Sequence, residues 1–262
     1  MLNLNFEKWH GNGNDFVIIN SIESDIKINK TKVKKISDRN TGIGFDQLIN
    51  VCLPTLASSN FFMKFYNSDG SEAGMCLNGI RCASKYIWQN NFAPKGKINI
   101  QTKSKNIICA PGRNDTVEVS IDCPSPFSEK NLIKKLERKV KDDFFLSNIG
   151  NNHLCIKMRA IKKANLNNIY KNLEGIIKKF NINLSIFKKN NEHIEIRTYE
   201  NGVGETLSCG SASLCVASSF LSNSNKSVKV ISIGGELNFK KGEDNMIVKG
   251  PANLIYKGNI NE

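Results

Sequence analysis

The pattern Y-x5-E-x3-C-x5-C occurs twice in this chain of 262 residues, as Tyr66, Glu72, Cys76, Cys82 and as Tyr199, Glu205, Cys209, Cys215. The displacement is the same at every anchor: 199 − 66, 205 − 72, 209 − 76 and 215 − 82 all give 133. A repeat on that scale constrains the fold to two related halves. In each copy the first cysteine leads into a stretch of small or polar residues, C-L-N-G at Cys76 and C-G-S-A at Cys209, where a helix is expected to begin. The first N–H groups of a helix have no partner inside it and carry the positive end of its dipole. Such a terminus holds a carboxylate and lowers the pKa of a neighbouring thiol from about 8.5. Two helix starts, each with a thiol, suit chemistry at one carbon: one sulfur removes a proton from one face and the other delivers a proton to the opposite face. Cys82 and Cys215, six residues further on, fall on another face of each helix and are expected in the core.

Composition narrows the alternatives. The chain is 40% hydrophobic and 23% charged, ordinary for a globular protein with a sizeable core. No uninterrupted apolar run approaches the ~20 residues that span a bilayer, and M-L-N-L-N-F-E-K-W-H lacks the features of a secretory signal. The expected compartment is the cytoplasm, with no membrane partner. Eight cysteines could pair, but a reducing compartment keeps them as thiols. No C-x2-C occurs, and the only histidines are His10, His153 and His193, so no metal site of the usual zinc spacing is expected. Cys52, Cys109, Cys123 and Cys155 sit among Val, Ile, Leu and Ala and are expected as small buried residues. The net charge of +13 raises the question of nucleic acid. The lysines are scattered, however, and runs such as K-T-K-V-K-K (30–35) and K-K-L-E-R-K-V-K (134–141) fit solvated helix faces. No nucleic-acid partner is expected.

Short strands dominate. F-E-K-W-H, F-V-I-I-N, D-Q-L-I-N-V-C, F-F-M-K-F-Y-N, K-I-N-I-Q-T and T-V-E-V-S-I are rich in β-branched and aromatic residues and bounded by Gly, Asn or Asp. Helices are expected at 31–40 and 76–91. The second half repeats the plan, with strands near 143–149, 153–159 and 193–199 and helices near 166–180 and from Cys209 to about 221. K-V-I-S-I, E-L-N-F-K, M-I-V-K-G and N-L-I-Y end the chain as strands. D-C-P-S-P-F (122–127), with two prolines in three positions, suits a domain crossing.

Long ordered motifs carry a resemblance over essentially the whole chain. H-G-N-G-N-D-F (10–16), G-I-G-F-D-Q-L (42–48), F-Y-N-S-D-G-S-E-A-G-M-C-L-N-G-I-R-C (65–82), G-N-N-H (150–153), Y-E-N-G-V-G-E-T-L-S-C-G-S (199–211), G-G-E-L (234–237) and G-P-A (250–252) resemble, in order, the motifs of the diaminopimelate epimerases. The resemblance implies a cofactor-free isomerase interconverting LL- and meso-diaminopimelate in lysine and peptidoglycan precursor biosynthesis, acting as a homodimer. It implies an α/β (α+β) fold of two pseudo-symmetric domains, each a curled mixed β-sheet wrapped around a central helix, with the active site in the cleft between them. The first domain would cover 1–120 together with a returning strand at 251–262, and the second 121–250. By position, Cys76 and Cys209 match the catalytic pair. Asn14, Gln47, Asn67, Asn151, Asn183, Glu200 and Asn201 match substrate-binding positions. Leu77, Asn78, Gly210 and Ser211 match the backbone cradle of the reacting carboxylate, and His153 and Glu205 match polar residues near the thiols.

The chemistry agrees with these positions. Diaminopimelate has a second amino-acid end to be gripped without reacting: amides donate to its carboxylate and the Glu200 carboxylate accepts from its ammonium. Four residues depart from the family pattern. Asn201 stands where the family has an Arg directed at the distal carboxylate, so a bidentate charged partner is lost. Leu77 replaces a Gly directly after Cys76, tolerable where φ is negative. Asn152 replaces a Pro, and Ala212 replaces a Gly. Retention of both cysteines, Gln47, Asn67 and Glu200 favours diaminopimelate over a different amino acid on the same scaffold. A pyridoxal phosphate racemase is disfavoured, since no Lys sits in a recognisable phosphate-cradling context.

Overall fold

A computed structural model describes residues 3–24 and 26–261. In chain order the first stretch comprises β1 (Asn3–Gly11), β2 (Asn14–Ser21), α1 (Lys30–Ser37), β3 (Gln47–Cys52), β4 (Phe61–Asn67), β5 (Glu72–Ala73), α2 (Leu77–Gln89), β6 (Ile98–Gln101), β7 (Asn106–Pro111) and β8 (Val117–Asp122). There follow β9 (Ser125–Pro126), α3 (Lys130–Glu137), β10 (Phe144–Asn148), β11 (Asn152–Lys157), α4 (Leu166–Phe180), β12 (Ile182–Lys189), β13 (Ile194–Glu200), β14 (Gly204–Thr206) and α5 (Gly210–Ser218). The chain ends in β15 (Ser227–Ser232), β16 (Gly235–Lys241), β17 (Asn245–Gly250) and β18 (Asn253–Asn261). It divides into two compact units, residues 1–120 with 249–262 and residues 121–248.

In the first unit the ladder runs β18–β1–β2–β3–β4–β6–β7–β8. Two of its pairings, β2–β3 and β4–β6, are parallel and so need crossovers, which α1 and α2 supply. F-V-I-I in β2 is buried along its whole length because both faces are covered. Val17 and Ile19 join Val33 and Ile36 of α1 in one apolar cluster, while Phe16 faces α2. That helix is the unit's centre: every residue from Leu77 to Trp88 is buried. Gly79 permits the close approach, because a β-carbon there would lie 2.9 Å from Ile49 and from Phe65 and 3.1 Å from Phe16. The helix closes with Phe92 N–H on Ile87 O and Asn91 N–H on Trp88 O, with Asn91 in the left-handed region (φ 58°).

The second unit repeats the plan as β9–β10–β11–β12–β13–β15–β16. Here β11–β12 and β13–β15 are the parallel pairs, crossed by α4 and α5. Leu166, Tyr170, Leu173 and Ile177 of α4 share a core with Leu154, Ile156, Leu184 and Ile186. Asn165 caps α4 by accepting from Asn168 N–H. Central α5 is buried from Ala212 to Ala217 and packs against β11, β12, β13, β15 and β16.

The expected mixed α/β architecture is present, and α4 lies at Leu166–Phe180, where a helix was expected. Strands β7 and β12 and the short β5, β9 and β14 were not expected. The lysine-rich stretch expected as a solvated helix face at 134–141 is helical only to Glu137, with Leu132 and Leu136 fully buried one turn apart. Cys109 and Cys155 are buried, but Cys123 is exposed and Cys52 only half-buried. Cys123 enters the two-proline segment, where short β9 is the next strand and both of its residues are exposed. Cys82 and Cys215 are wholly buried.

Candidate active site

Register explains why the candidate residues gather. Asn14 opens β2, Gln47 opens β3 beside it, Asn67 closes antiparallel β4, and Cys76 stands just before α2. Parallel starts and an antiparallel end fall on the same edge of a sheet, so all four sit at one end of the unit. Contacts follow accordingly. The Cys76 thiol donates to Asn14 Oδ1 at 3.5 Å, Gln47 Nε2 donates to Asn67 Oδ1 at 2.8 Å, and Asn67 Nδ2 donates to Ser71 Oγ.

The second unit presents the same edge. Parallel pairing sets Phe16 opposite Gln47 in one unit and His153 opposite Asn183 in the other, while Leu48 faces Tyr66 as Leu184 faces Tyr199. Asn14, Gln47, Asn67 and Cys76 therefore correspond to Asn151, Asn183, Glu200 and Cys209. Asn183 Oδ1 accepts from the Asn201 N–H at 3.0 Å, Glu200 accepts from Thr206, and Ser211 Oγ lies 3.3 Å from Cys209 Sγ.

Both cysteines are helix N-caps with extended backbones, φ −137° at Cys76 and −112° at Cys209. Their carbonyls accept the first helical bonds, from Ile80 and Ser213. Neither side chain makes a capping hydrogen bond, so neither thiol is used to terminate its helix. Leu77, at the first helical position, is absent from the left-handed residues and has its side chain buried; the departure from Gly therefore costs no backbone strain. Asn78 Oδ1 accepts from Arg81, and Gly210 opens α5.

The electrostatics differ between the two ends. In the first unit Asn14 Nδ2 donates to Asp46 at 2.6 Å, which leaves its Oδ1 turned to Cys76. Asp46 belongs to a cluster in which Arg39 grips Asp15 with two nitrogens and buried Lys8 donates to Asp15 and to Gly44 O. Burial alone would raise the Asp15 carboxyl, but hydrogen bonds from Arg39 and Lys8 hold it well below the usual carboxylate range. Burial and then the Asp15 charge raise Asp46, against the hydrogen bond from Asn14. In the second unit His153 is wholly buried, its Nε2 3.1 Å from Asn151 Oδ1. Desolvation pulls its pKa down to about 4, so the imidazole is neutral at pH 7.

The glutamates of the repeat do other work. Glu72 and Glu205 lie opposite Tyr66 and Tyr199 on short β5 and β14. Lys103 pairs with Glu72, and Arg197 holds Glu205 with two nitrogens at 2.7 and 2.9 Å while also reaching Ile161 O and Ala164 O. These carboxylates fasten the strand leading into each helix. Asn201 Nδ2 donates to Asn181 Oδ1, and Asn152 bridges Asn148 to Phe180 O.

The profile of the diaminopimelate epimerase family matches residues 6–122 and 145–255. A diaminopimelate epimerase of Buchnera aphidicola subsp. Acyrthosiphon pisum (strain 5A) is 33% identical over 277 aligned positions, covering 98% of this chain and 96% of the relative. This chain belongs to the diaminopimelate epimerase family. A diaminopimelate epimerase of Acinetobacter baumannii is 30% identical, with 98% of this chain and 97% of the relative covered. Solved structures share the fold at lower identity. A PhzF-family phenazine biosynthesis protein of Bacillus anthracis has a TM-score of 0.71 at 14% identity, with both chains fully covered. A hydroxyproline epimerase of Agrobacterium vitis with bound trans-4-hydroxy-L-proline has a TM-score of 0.70 at 11% identity, covering 98% of this chain and 91% of the other. Among the described residues no helix is long and apolar enough to cross a membrane, and no group of His, Cys, Asp and Glu is arranged to hold a metal.

The first-turn environment of α2 also contains residues that the motifs alone left without a role. Arg81 is wholly buried. It donates to Leu77 O, Asn78 Oδ1, Asn12 Oδ1 and Pro251 O, and burial pulls its pKa below the ordinary value. Asn12 and Gly13, both at positive φ, make the two-residue turn between β1 and β2. Pro251 and Ala252, the end of G-P-A, offer carbonyls to Arg81 and Lys85. The signal for Arg81 was its place five residues after Cys76.

Proposed function

We propose that this chain is a cofactor-independent diaminopimelate epimerase in which Cys76 and Cys209 are the two acid–base groups, one from each unit. The observation that carries the reading is a pair of N-cap thiols, uncommitted to capping, in a chain that matches this family from end to end. A thiolate at one cysteine takes the α-proton and the resulting carbanion is protonated by the other thiol on the opposite face. The stereocentre inverts, and the two sulfurs exchange protonation states. The first-turn N–H groups at Leu77, Asn78, Gly210 and Ser211 receive the reacting carboxylate, whose charge the helix dipoles favour. Asn14, Gln47, Asn67, Asn151, Asn183, Glu200 and Asn201 hold the second amino-acid end, with Glu200 on its ammonium.

A thiol pair that must cycle between S–H and S⁻ needs reduced cysteines, and the cytoplasm is the fitting compartment. Exposed Leu254, Ile255 and Tyr256 on β18 support a homodimer that covers them, which sedimentation velocity tests. The activity is tested by α-proton exchange in D2O with diaminopimelate and with simple amino acids. Exchange with diaminopimelate is expected in the wild type; Cys76→Ser and Cys209→Ser are each expected nearly to abolish racemisation, while each variant still eliminates a leaving group from a β-halo analogue in one stereochemical direction. Full racemisation by either variant would refute the two-base scheme, and exchange confined to simple amino acids would assign another substrate.

A further inference from the structure

We propose that Arg81 is a positioning residue for this reaction: its guanidinium fixes the first turn of α2 and supplies an uncompensated positive charge that favours Cys76 as the thiolate of the resting pair. The inference rests on the assignment of Cys76 and Cys209 as the acid–base groups and adds which of them starts ionised.

The guanidinium is wholly buried, yet its partners are all neutral oxygens: the Leu77 and Pro251 carbonyls and the Asn12 and Asn78 amides. No carboxylate pairs with it among the described residues. Arginine keeps its proton in proteins, and an unpaired buried charge is costly, so the arrangement persists where an anion is to be held nearby. Packing does not demand it. The matched position in α5 is Leu214 (81 + 133), also wholly buried, so a helix of this kind against its sheet accepts an apolar side chain there. Room for the guanidinium has been made instead. A β-carbon on Gly11 would lie 3.3 Å from Arg81 Nη2 and 3.2 Å from Asn78 O, and Asn12 reaches the guanidinium from a left-handed backbone (φ 55°).

Direction follows from the bonds. Hydrogen bonds to Leu77 O and Asn78 Oδ1 place the charge at the first turn, next to the N-cap, where it adds to the positive end of the dipole. Asn14, Cys82, Asp46 and Asp15 do not cancel it. Asn14 Oδ1 favours the protonated thiol, but an S–H is a weak donor and a dipole is weaker than a full charge in a poorly polarisable interior. Burial pushes the Cys82 thiol up to about 12, so it is neutral. Asp46 acts through Asn14, and Asp15 beside it is balanced by Lys8 and Arg39.

The test is the pH dependence of iodoacetamide alkylation at Cys76, followed by peptide mass spectrometry on the full-length protein, alongside the pH profile of kcat/KM. Arg81→Met is expected to slow alkylation of Cys76 about tenfold at pH 7 and to move the acid limb of kcat/KM upward. Arg81→Lys, which keeps the charge, is expected to restore most of the rate. Asn12→Asp, nearly isosteric, hands Arg81 a carboxylate and is expected to slow alkylation in a folded background even where Arg81→Met fails to fold. Alkylation of Cys76 at the wild-type rate and pH profile in Asn12→Asp and in any folded Arg81→Met would overturn the proposal and leave Arg81 a structural clamp. Alkylation reads the thiol without turnover, so this outcome is distinct from failure of the two-cysteine scheme, which Cys76→Ser and Cys209→Ser test separately.

Discussion

Replacing His153 by Gln is expected to make the protein less sensitive to mild acid, although the residue lies beside Asn151, an amide proposed to bind substrate. His153 is wholly buried, and desolvation lowers its pKa from the ordinary 6.5 to about 4. As the pH falls the unfolded chain takes up this proton first, near 6.5, while the folded protein resists it until about 4. Stability is therefore full above 6.5, declines as the pH drops, and stops declining below about 4, where both states are protonated. The whole span is worth about 3.4 kcal/mol, and the part lost between pH 7.5 and 5.0 is about 2 kcal/mol. Gln keeps an N–H donor for Asn151 and cannot titrate. Urea unfolding at the two pH values, followed by circular dichroism because Trp9 and Trp88 both lie in the other unit, gives the difference directly. The wild type is expected to lose about 2 kcal/mol more than His153→Gln over this interval. An equal loss in both proteins would show that His153 is not held neutral by burial and would remove this account of the imidazole.

Three further outcomes follow from the same geometry. Gly79→Ala gains about 1 kcal/mol of helix propensity but drives a methyl against Ile49, Phe65 and Phe16 at about 1–3 kcal/mol, so chemical denaturation is expected to show a net loss; a gain would mean α2 does not sit so close to its sheet. Asp15→Asn leaves buried Lys8 without its carboxylate and is expected to cost about 3 kcal/mol at pH 7. The variant should also lack the acid-labile increment that the wild type loses as pH falls below the usual carboxylate pKa, because the folded Asp15 pKa lies lower still. Asn201→Arg restores a charged fork near Asn181 and Asn183 and is expected to lower the KM for diaminopimelate about tenfold with little change in kcat; an unchanged KM would place the distal carboxylate elsewhere.

Much of the frame was legible because its signals are local. Runs of β-branched and aromatic residues marked β8 and β2 as strands. The repeat marked both central helices through their caps. What failed to show was β12, whose I-N-L-S-I-F-K-K follows α4 with only Asn181 between. There Asn181 at φ 47° reverses the chain in one residue, so no Gly, Pro or polar cluster announced a boundary. For the same reason the offset of 133 concealed the earlier half of the correspondence. Asn14 and Asn151 differ by 137 and Gln47 and Asn183 by 136, because loop lengths differ, and only the strand register brings them into line. The roles of Glu72 and Glu205 were also hidden, since a sequence does not show that a cation from the β6–β7 turn reaches one carboxylate and one from β13 the other.

The matched positions suggest how a duplicated frame serves an unsymmetrical substrate. Inversion at one carbon asks for two equivalent thiols, and the repeat keeps them equivalent: both cysteines are extended N-caps opening onto a buried helix. A diaminopimelate molecule is not symmetrical about its reacting carbon, and a proton must start on one sulfur and end on the other. Equivalence has accordingly been abandoned at the positions around the thiols. Phe16 in one unit corresponds to His153 in the other; Asn67 corresponds to Glu200; Arg81 corresponds to Leu214. Each exchange alters charge or hydrogen bonding while leaving strand register and helix burial intact. On the proposed reading the symmetric residues supply the acid–base chemistry. The unlike ones choose which end of the substrate enters and which sulfur begins without its proton. Substitutions that make the units more alike, such as Arg81→Leu, should then impair turnover in a folded protein more than their effect on packing requires.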